Sequence, residues 1–228
     1  MTLPQIVSRE EWQAAREELL VREKAATRAR DALNAARRGL PMVEIDKEYV
    51  FESGGGKATL ADLFRGRDQL VIQHFMFAPE WDAGCRRCSA FLDQIGHLAH
   101  LRARGTEFAV VSRAPYTKIL PFKARMGWTV PWYSSYDSDF DYDFQVSSGG
   151  REPCERAGLS CFLRDRERVF HTYSTYERGL DGLGSTTSLL DLTALGRQEE
   201  WEEPEGRASA LGVPAAGEGV RYHDEYED

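Results

Sequence analysis

Two cysteines, Cys85 and Cys88, stand two residues apart in "GCRRC", just after the apolar run "QLVIQHFMF" and just before a helical pattern. A dithiol at this spacing can attack a disulfide with one sulfur and resolve the mixed intermediate with the other, because residues three apart lie about one helical turn from each other. Cys85 falls where a strand pattern ends and a helix pattern begins. Free backbone N–H groups and the helix dipole favour a thiolate there, and Arg86 and Arg87 add positive charge. Cys85 is therefore the expected nucleophile, with a lowered pKa, and Cys88 the resolving thiol.

The same stretch spells C-x2-C-x8-H-x2-H, a candidate zinc pattern. On one continuous helix His97 would lie about 13.5 Å along the axis from Cys88, too far for metal bonds of about 2.0 to 2.3 Å. No metal and no cofactor is expected, and zinc returns only if the helix breaks at Gly96. Cys154 and Cys161, spaced by seven, match no redox or zinc motif. Cys161 lies in a strand pattern, where a buried cysteine acts as a small hydrophobe; Cys154 lies in a loop, where a second resolving role stays open. Asp137, Asp139, Asp141 and Asp143 alternate as calcium ligands do, without the glycine and glutamate of an EF-hand. They sit among Trp128, Trp132, Tyr133, Tyr136, Phe140, Tyr142 and Phe144, several of which are expected to close over the core or the dithiol. Trp81 and Trp132 are candidate walls of the site.

The elements that must position these residues alternate. Ser8 and Glu11 form a capping box, and no Gly or Pro interrupts the chain from there to Arg38, which predicts a helix of about thirty residues. Its apolar stripe of Trp12, Leu19, Leu33 and alanines is expected to pack on its own domain, with a dimerisation arm as the alternative. "VEIDKEYVFESGGGKATL" reads as two short strands around a glycine turn, followed by a short helix "LADLFRG". "QLVIQHFMF" and "TEFAVVS" read as buried strands, with "SAFLDQIGHLAHLRARG" a helix between them and "YTKILPFKARMG" a helix after the second. "WTVPWYSS" enters a strand or extended loop, and "DSDFDYDFQVSSGGREP" is expected to be a loop or insertion. "GLSCFLRDRERVFHTYST" reads as a hairpin and "GLDGLGSTTSLLDLTALG" as a last helix with glycine interruptions. Such alternation predicts a parallel α/β core with right-handed crossovers.

The chain has 228 residues, 42% of them hydrophobic, and a formal charge of −8. Ten acids against two arginines lie in residues 199–228, so the rest balances at 27 acids and 27 bases. That balance predicts no nucleic-acid surface. No apolar run approaches the roughly 18 residues of a membrane span, and the N-terminus lacks a signal-peptide pattern, so a soluble, cytoplasmic protein without membrane contact is expected. The expected division is a helical arm (1–40), one α/β domain (41–198) and an acidic, flexible tail (199–228).

A strand leading into CxxC at a helix start, then strand, helix and a hairpin at "CFLRDRERVF", resembles the thioredoxin fold in its peroxiredoxin-like version. "FMFAPEWDAGCRRCS", "GWTVPWYSSYDSDFDYDF" and "RDRERVFHTYSTYERGLD", with the arm, resemble the bacterial DUF899 family, whose members are described as thioredoxin-like, predicted dithiol-disulfide oxidoreductases. The resemblance implies an α/β, thioredoxin-like fold with a long N-terminal helix and an added N-terminal β-hairpin, Cys85 as attacking and Cys88 as resolving thiol. Two departures stand out. Trp81 precedes the cysteines by four residues instead of adjoining them, and Leu159 stands where thioredoxins carry a cis-proline. The peroxiredoxin motif P-x-x-x-T-x-x-C, counted from Pro79, meets Ala83 and Arg86. Dithiol-disulfide exchange on an unknown thiol or disulfide substrate is the expected function. A binding protein on the same scaffold, assembling as a homodimer through the helix, and a thiol peroxidase are the alternatives.

Overall fold

The structure, a computed structural model, describes residues 4–148, 154–199, 201–202 and 219–226. The capping box forms as expected: Ser8 Oγ accepts from the Glu11 N–H and the Glu11 carboxylate accepts from the Ser8 N–H, opening α1 (Arg9–Arg38). At 1.5 Å per residue it spans about 45 Å. None of its side chains is buried, and Trp12, Leu19, Val21 and Leu33 lie exposed. The expected packing of its stripe on its own domain is not met. The arm meets the body near its C-terminal end, where the Arg37 guanidinium stacks 4.7 Å over the Tyr173 ring.

After α1 come β1 (Val43–Glu44), the hairpin β2 (Val50–Ser53) and β3 (Gly56–Thr59), α2 (Leu60–Leu63) and β4 (Gln69–His74). The glycine turn closes as expected, with Ser53 paired to Gly56 and Gly56 at φ +97°, a conformation costly for any residue with a Cβ. Next are α3 (Arg86–Asp93), α4 (Ala99–Arg102), β5 (Thr106–Ser112), α5 (Tyr116–Arg125), β6 (Trp132–Ser134), α6 (Phe140–Asp143), β7 (Ser147–Ser148) and β8 (Cys154–Glu155). The hairpin β9 (Gly158–Asp165) and β10 (Arg168–Tyr176) turns at Arg166, and α7 (Ser185–Leu190) follows a 3-10 segment.

The strands form an eight-stranded sheet in the order β1-β10-β9-β4-β5-β6-β2-β3. β4 runs parallel to β5, β9 antiparallel to β4, and β10 antiparallel to β9. The four-strand order β10-β9-β4-β5, with β9 alone reversed, is the thioredoxin-like arrangement, and the added hairpin β2–β3 extends it beyond β6. Val43–Glu44 does not join that hairpin; it pairs with β10 at the opposite edge.

Alternation along β4 separates two cores. Val71 and Phe75 face α3 and α5, packing with Cys88, Leu92, Ile119 and Phe122; Leu70 and Ile72 face α2 and α6, packing with Leu63, Phe64, Phe140 and Phe144. Three expectations are corrected here. The helix after Cys88 ends at Gln94 and restarts at Ala99 across Gly96. The segment read as a loop contains α6, whose Phe140 is fully buried, so that stretch is a core element. The last helix is six residues long. Of the tail expected to be flexible, residues 200, 203–218 and 227–228 lie outside the described residues, whereas Tyr222 is buried against the body.

Candidate functional site

β4 and α3 are joined by residues 75–85, which fold back so that the Cys85 N–H donates to Met76 O at 2.9 Å. Lys118 of α5 holds the outer part of this loop, its ammonium donating to Pro79 O at 2.7 Å and Trp81 O at 3.0 Å. Gly84 is required by close approach: a Cβ would stand 2.5 Å from Phe75 Cε1 and 2.8 Å from Phe122 Cε1. Cys85 thus becomes the N-cap of α3, half-buried, while Cys88 is buried one turn on. Gln73, buried on the same face of β4, donates to Cys88 O at 3.2 Å, and Ser89 Oγ donates to Cys85 O at 2.9 Å. Strand, loop and first helical turn are therefore tied together at the two cysteines.

Both cysteines are free thiols, and their electrostatics differ sharply. Hydrogen bonding by the Cys88 thiol is the largest influence on Cys85; against burial, it and the backbone N–H groups of Cys88 and Arg87, with the Arg87 charge, lower the Cys85 pKa to about 6. Cys85 is mostly thiolate at neutral pH. Cys88 moves the other way, well above the ordinary thiol value, through its hydrogen bond to Cys85, through burial, and through the charges of Cys85 and Glu155. Glu155 is itself nearly buried, paired with Arg113 and accepting from Ser147 Oγ at 3.0 Å.

The structure brings together Cys85, Cys88 and Arg87, and packs Trp81 against the same core. Arg86 turns aside: its guanidinium lies 5.3 Å from the Tyr222 ring centroid and 3.5 Å from the Glu225 carboxylate. Trp132 is buried under the site, its ring 4.7 Å from Phe75 and its indole N–H donating to Ser112 Oγ at 3.1 Å, so it is a floor and not an exposed wall. Leu159, expected from the resemblance to stand where thioredoxins carry a cis-proline, packs in the same core as Cys88. Cys161 faces the Val71 side of the sheet with its pKa raised by burial, and Cys154 is exposed on β8. The break at Gly96 removes the distance argument against zinc, yet among the described residues no three of His, Cys, Asp or Glu gather as metal ligands. The alternating aspartates diverge: Asp139 and Asp143 pair with Lys47, and Asp141 is buried against Ser135.

Sequence reasoning missed Gln73, Gly84, Arg125 and Tyr222. The phenol of Tyr222, 138 residues away in sequence, donates to the Gly84 carbonyl next to Cys85. Nothing local in "VRYHDEY" announces that contact.

Among the described residues no helix is long and apolar enough to cross a membrane. No curated protein matches the sequence. Solved structures that resemble it in shape include Xanthomonas campestris peroxiredoxin Q, at 18% identity and TM-score 0.46, covering 63% of this chain and 90% of that one. Peroxidoxin BcpB from Mycobacterium tuberculosis aligns at 18% identity and TM-score 0.42, covering 58% and 84%. A putative thiol:disulfide interchange protein DsbE from Chlorobium tepidum aligns at 16% and 0.42, covering 69% and 99%. A family profile described as "Bacterial protein of unknown function (DUF899)" matches residues 1–226, nearly the whole chain, and the protein belongs to that family.

Proposed function

We propose that the protein is a thiol-disulfide oxidoreductase in which Cys85 attacks and Cys88 resolves. The observation that carries this reading is the asymmetry of the pair: a half-buried sulfur held as thiolate beside a buried thiol held protonated. The Cys85 thiolate attacks one sulfur of a substrate disulfide, forming a mixed disulfide and releasing one substrate thiolate. Two of the causes that keep Cys88 protonated, its hydrogen bond to the Cys85 thiolate and the charge of that thiolate, vanish at this moment. Cys88 is thereby released to lose its proton, and its thiolate attacks Cys85 Sγ. The second substrate thiol leaves, the substrate has gained two electrons, and a Cys85–Cys88 disulfide remains for an external dithiol to reduce. Four free cysteines fit a reducing compartment, which supports a cytoplasmic setting.

The test is a pair of variants assayed with a small aromatic disulfide. Cys85→Ser is expected to abolish exchange and Cys88→Ser to accumulate a mixed disulfide on Cys85, read by intact-mass spectrometry. Equal activity in both variants would overturn the assignment. A second role rests on α1: its exposed Trp12, Leu19 and Leu33, on one side of the helix, support assembly through the arm, with a homodimer the simplest case. Sedimentation of the full chain and of a Leu19→Glu/Leu33→Glu variant tests it, and identical monomeric mass for both rejects it.

A further inference from the structure

The described end of the tail, residues 219–226, lies against α3 and α5 beside the Gly84–Cys85 junction. Tyr222 is only 7% exposed. Its hydroxyl donates to Gly84 O, and its ring meets Phe122 edge-on at 5.6 Å between centroids. The guanidinium groups of Arg86 and Arg125 lie 5.3 and 5.0 Å from its ring centroid. The acids that follow are bound by the same two arginines. Arg125 grips Asp224 through two hydrogen bonds of 2.7 and 2.8 Å, and Glu225 lies 3.3 Å from Arg125 and 3.5 Å from Arg86. His223 Nδ1 is 2.8 Å from an Asp93 oxygen that also accepts from the Trp128 indole. Burial first, and then the charges of Glu225 and Cys85 against that of Arg86, raise the pKa of the Tyr222 phenol, so the ring lies within electrostatic reach of the nucleophile.

An aromatic pocket flanked by two arginines, with one buried hydrogen-bond acceptor, is a recognition device for a peptide, and its occupant here is part of the chain itself. Phe122 and Arg125 also border an open cleft of about 340 Å³ that reaches Ala83. We propose that this face is a peptide-binding subsite beside the dithiol, selective for an aromatic residue followed by acidic side chains. Residues 220–226 fill it in cis and shield Cys85 until a substrate segment of similar chemistry displaces them. The proposal rests on the exchange function for its substrate, and on geometry alone for the shielding.

Two arms test it. In the first, Cys85 alkylation by iodoacetamide is timed at about pH 8, where the thiolate is fully formed. Tyr222→Ala and Asp224→Arg are each expected to alkylate about fivefold faster than the parent chain, given the strength of exposed ion pairs and cation–π contacts. The double variant Arg125→Asp/Asp224→Arg should return toward the parent rate. Synthetic VRYHDEY should protect Cys85 in Tyr222→Ala, and VRYHKKY should not. Asp224 is at the surface, so its variant remains informative should Tyr222→Ala fold poorly. Parent-like rates in Asp224→Arg and in folded Tyr222→Ala, with no protection by VRYHDEY, overturn the subsite. In the second arm, VRYHDEYC and VRYHKKYC, each joined through its cysteine to nitrothiobenzoate as a mixed disulfide, are offered to Tyr222→Ala. Faster release of nitrothiobenzoate from the acidic peptide supports the subsite, and equal release from both rejects it while leaving the exchange function standing. If neither peptide reacts, it is the exchange function that fails, and the alkylation arm alone decides the subsite.

Discussion

Gln73 and His74 are neighbours at the tip of β4, both essentially buried, and they point into opposite cores with opposite consequences. On the Gln73 face, polar groups meet around Cys85 and Cys88 and concentrate charge on the sulfur of the half-buried Cys85. On the His74 face they are sealed in. His74 Nε2 lies 2.7 Å from Ser160 Oγ, Ser160 Oγ 2.7 Å from Ser174 Oγ, and Ser174 Oγ 2.7 Å from His171 Nε2, a chain joining β4, β9 and β10. The His74 ring stacks on Phe140 and Phe144, and burial first, then the nearby His171, drives its pKa down to about 3. Burial alone does not make a site. A titratable group becomes reactive where its charged form is hydrogen-bonded and open on one side, as Cys85 is, and becomes a neutral structural pin where it is enclosed by rings, as His74 is.

The largest effect that separates the two faces is the response of stability to acid. His74 has a folded-state pKa of about 3 against an unfolded value of 6.5, so the unfolded chain takes up a proton that the folded chain refuses. Its contribution is fully present above pH 6.5 and is lost as pH falls toward 3, up to about 5 kcal/mol at 1.36 kcal/mol per pKa unit. Urea unfolding of the parent and of His74→Phe between about pH 8 and 4 should show a shallower acid limb in the variant, the remainder coming from His171 and the carboxylates held low by their partners. The Cys85 pKa, read by alkylation, should be the same in both. A shifted Cys85 titration in His74→Phe would break the separation of the faces.

Asp141 supplies the opposite slope. Burial lifts its pKa to about 7 from 3.8, partly opposed by the hydrogen bond from Ser135, so the folded chain holds a proton that the unfolded chain releases. Stability from this group is present below pH 3.8 and lost as pH rises through 7, at most about 4 kcal/mol. Asp141→Asn should flatten the alkaline side of the same unfolding series and leave the acid limb in place. An unchanged alkaline side would mean that the carboxylate finds solvent.

The reactive face was far more legible in the sequence than the silent one, because its information is local. The capping box at Ser8 and the run "QLVIQHFMF" became the expected helix and, over Gln69–His74, the expected strand, and the spacing of Cys85 and Cys88 likewise lies within one short window. The His74 chain joins residues as much as 100 positions apart, and no window of sequence contains both histidines. "DSDFDYDF" misled because its acids and aromatics alternate with period two, a strand pattern, whereas the chain forms a short helix that buries Phe140 and Phe144, four residues apart on one helical face. The helix break at residues 95–98 was undervalued because Gly96 stood alone among apolar residues at helical spacing. Tyr222 was hidden by composition: its acidic surroundings read as solvated until Arg86 and Arg125 supplied partners from elsewhere in the chain.

Within the reactive face, the Cys88 thiol is the main influence on Cys85. Cys88→Ala should raise the Cys85 pKa by about one to two units, whereas Cys88→Ser, which keeps a hydroxyl donor, should raise it less. Alkylation rate against pH measures both. Equal shifts in the two variants would move the cause from hydrogen bonding to the loss of buried volume.

The smallest effect separates the two arginines that the sequence treated alike. Arg87 acts on Cys85 through charge and through its backbone N–H, whereas the Arg86 side chain is engaged with Tyr222 and Glu225. The charge part is weak because Arg87 is exposed, and screening limits such a pair to a fraction of a pKa unit. Arg87→Gln should therefore raise the Cys85 pKa by about half a unit at low ionic strength and by less as salt is added. Arg86→Gln should leave that pKa nearly unchanged and instead speed alkylation of the thiolate, since it loosens the seat of Tyr222. If the two substitutions shift the titration equally, the arginines act as one diffuse positive field, and the division of labour between charge tuning and tail docking is wrong.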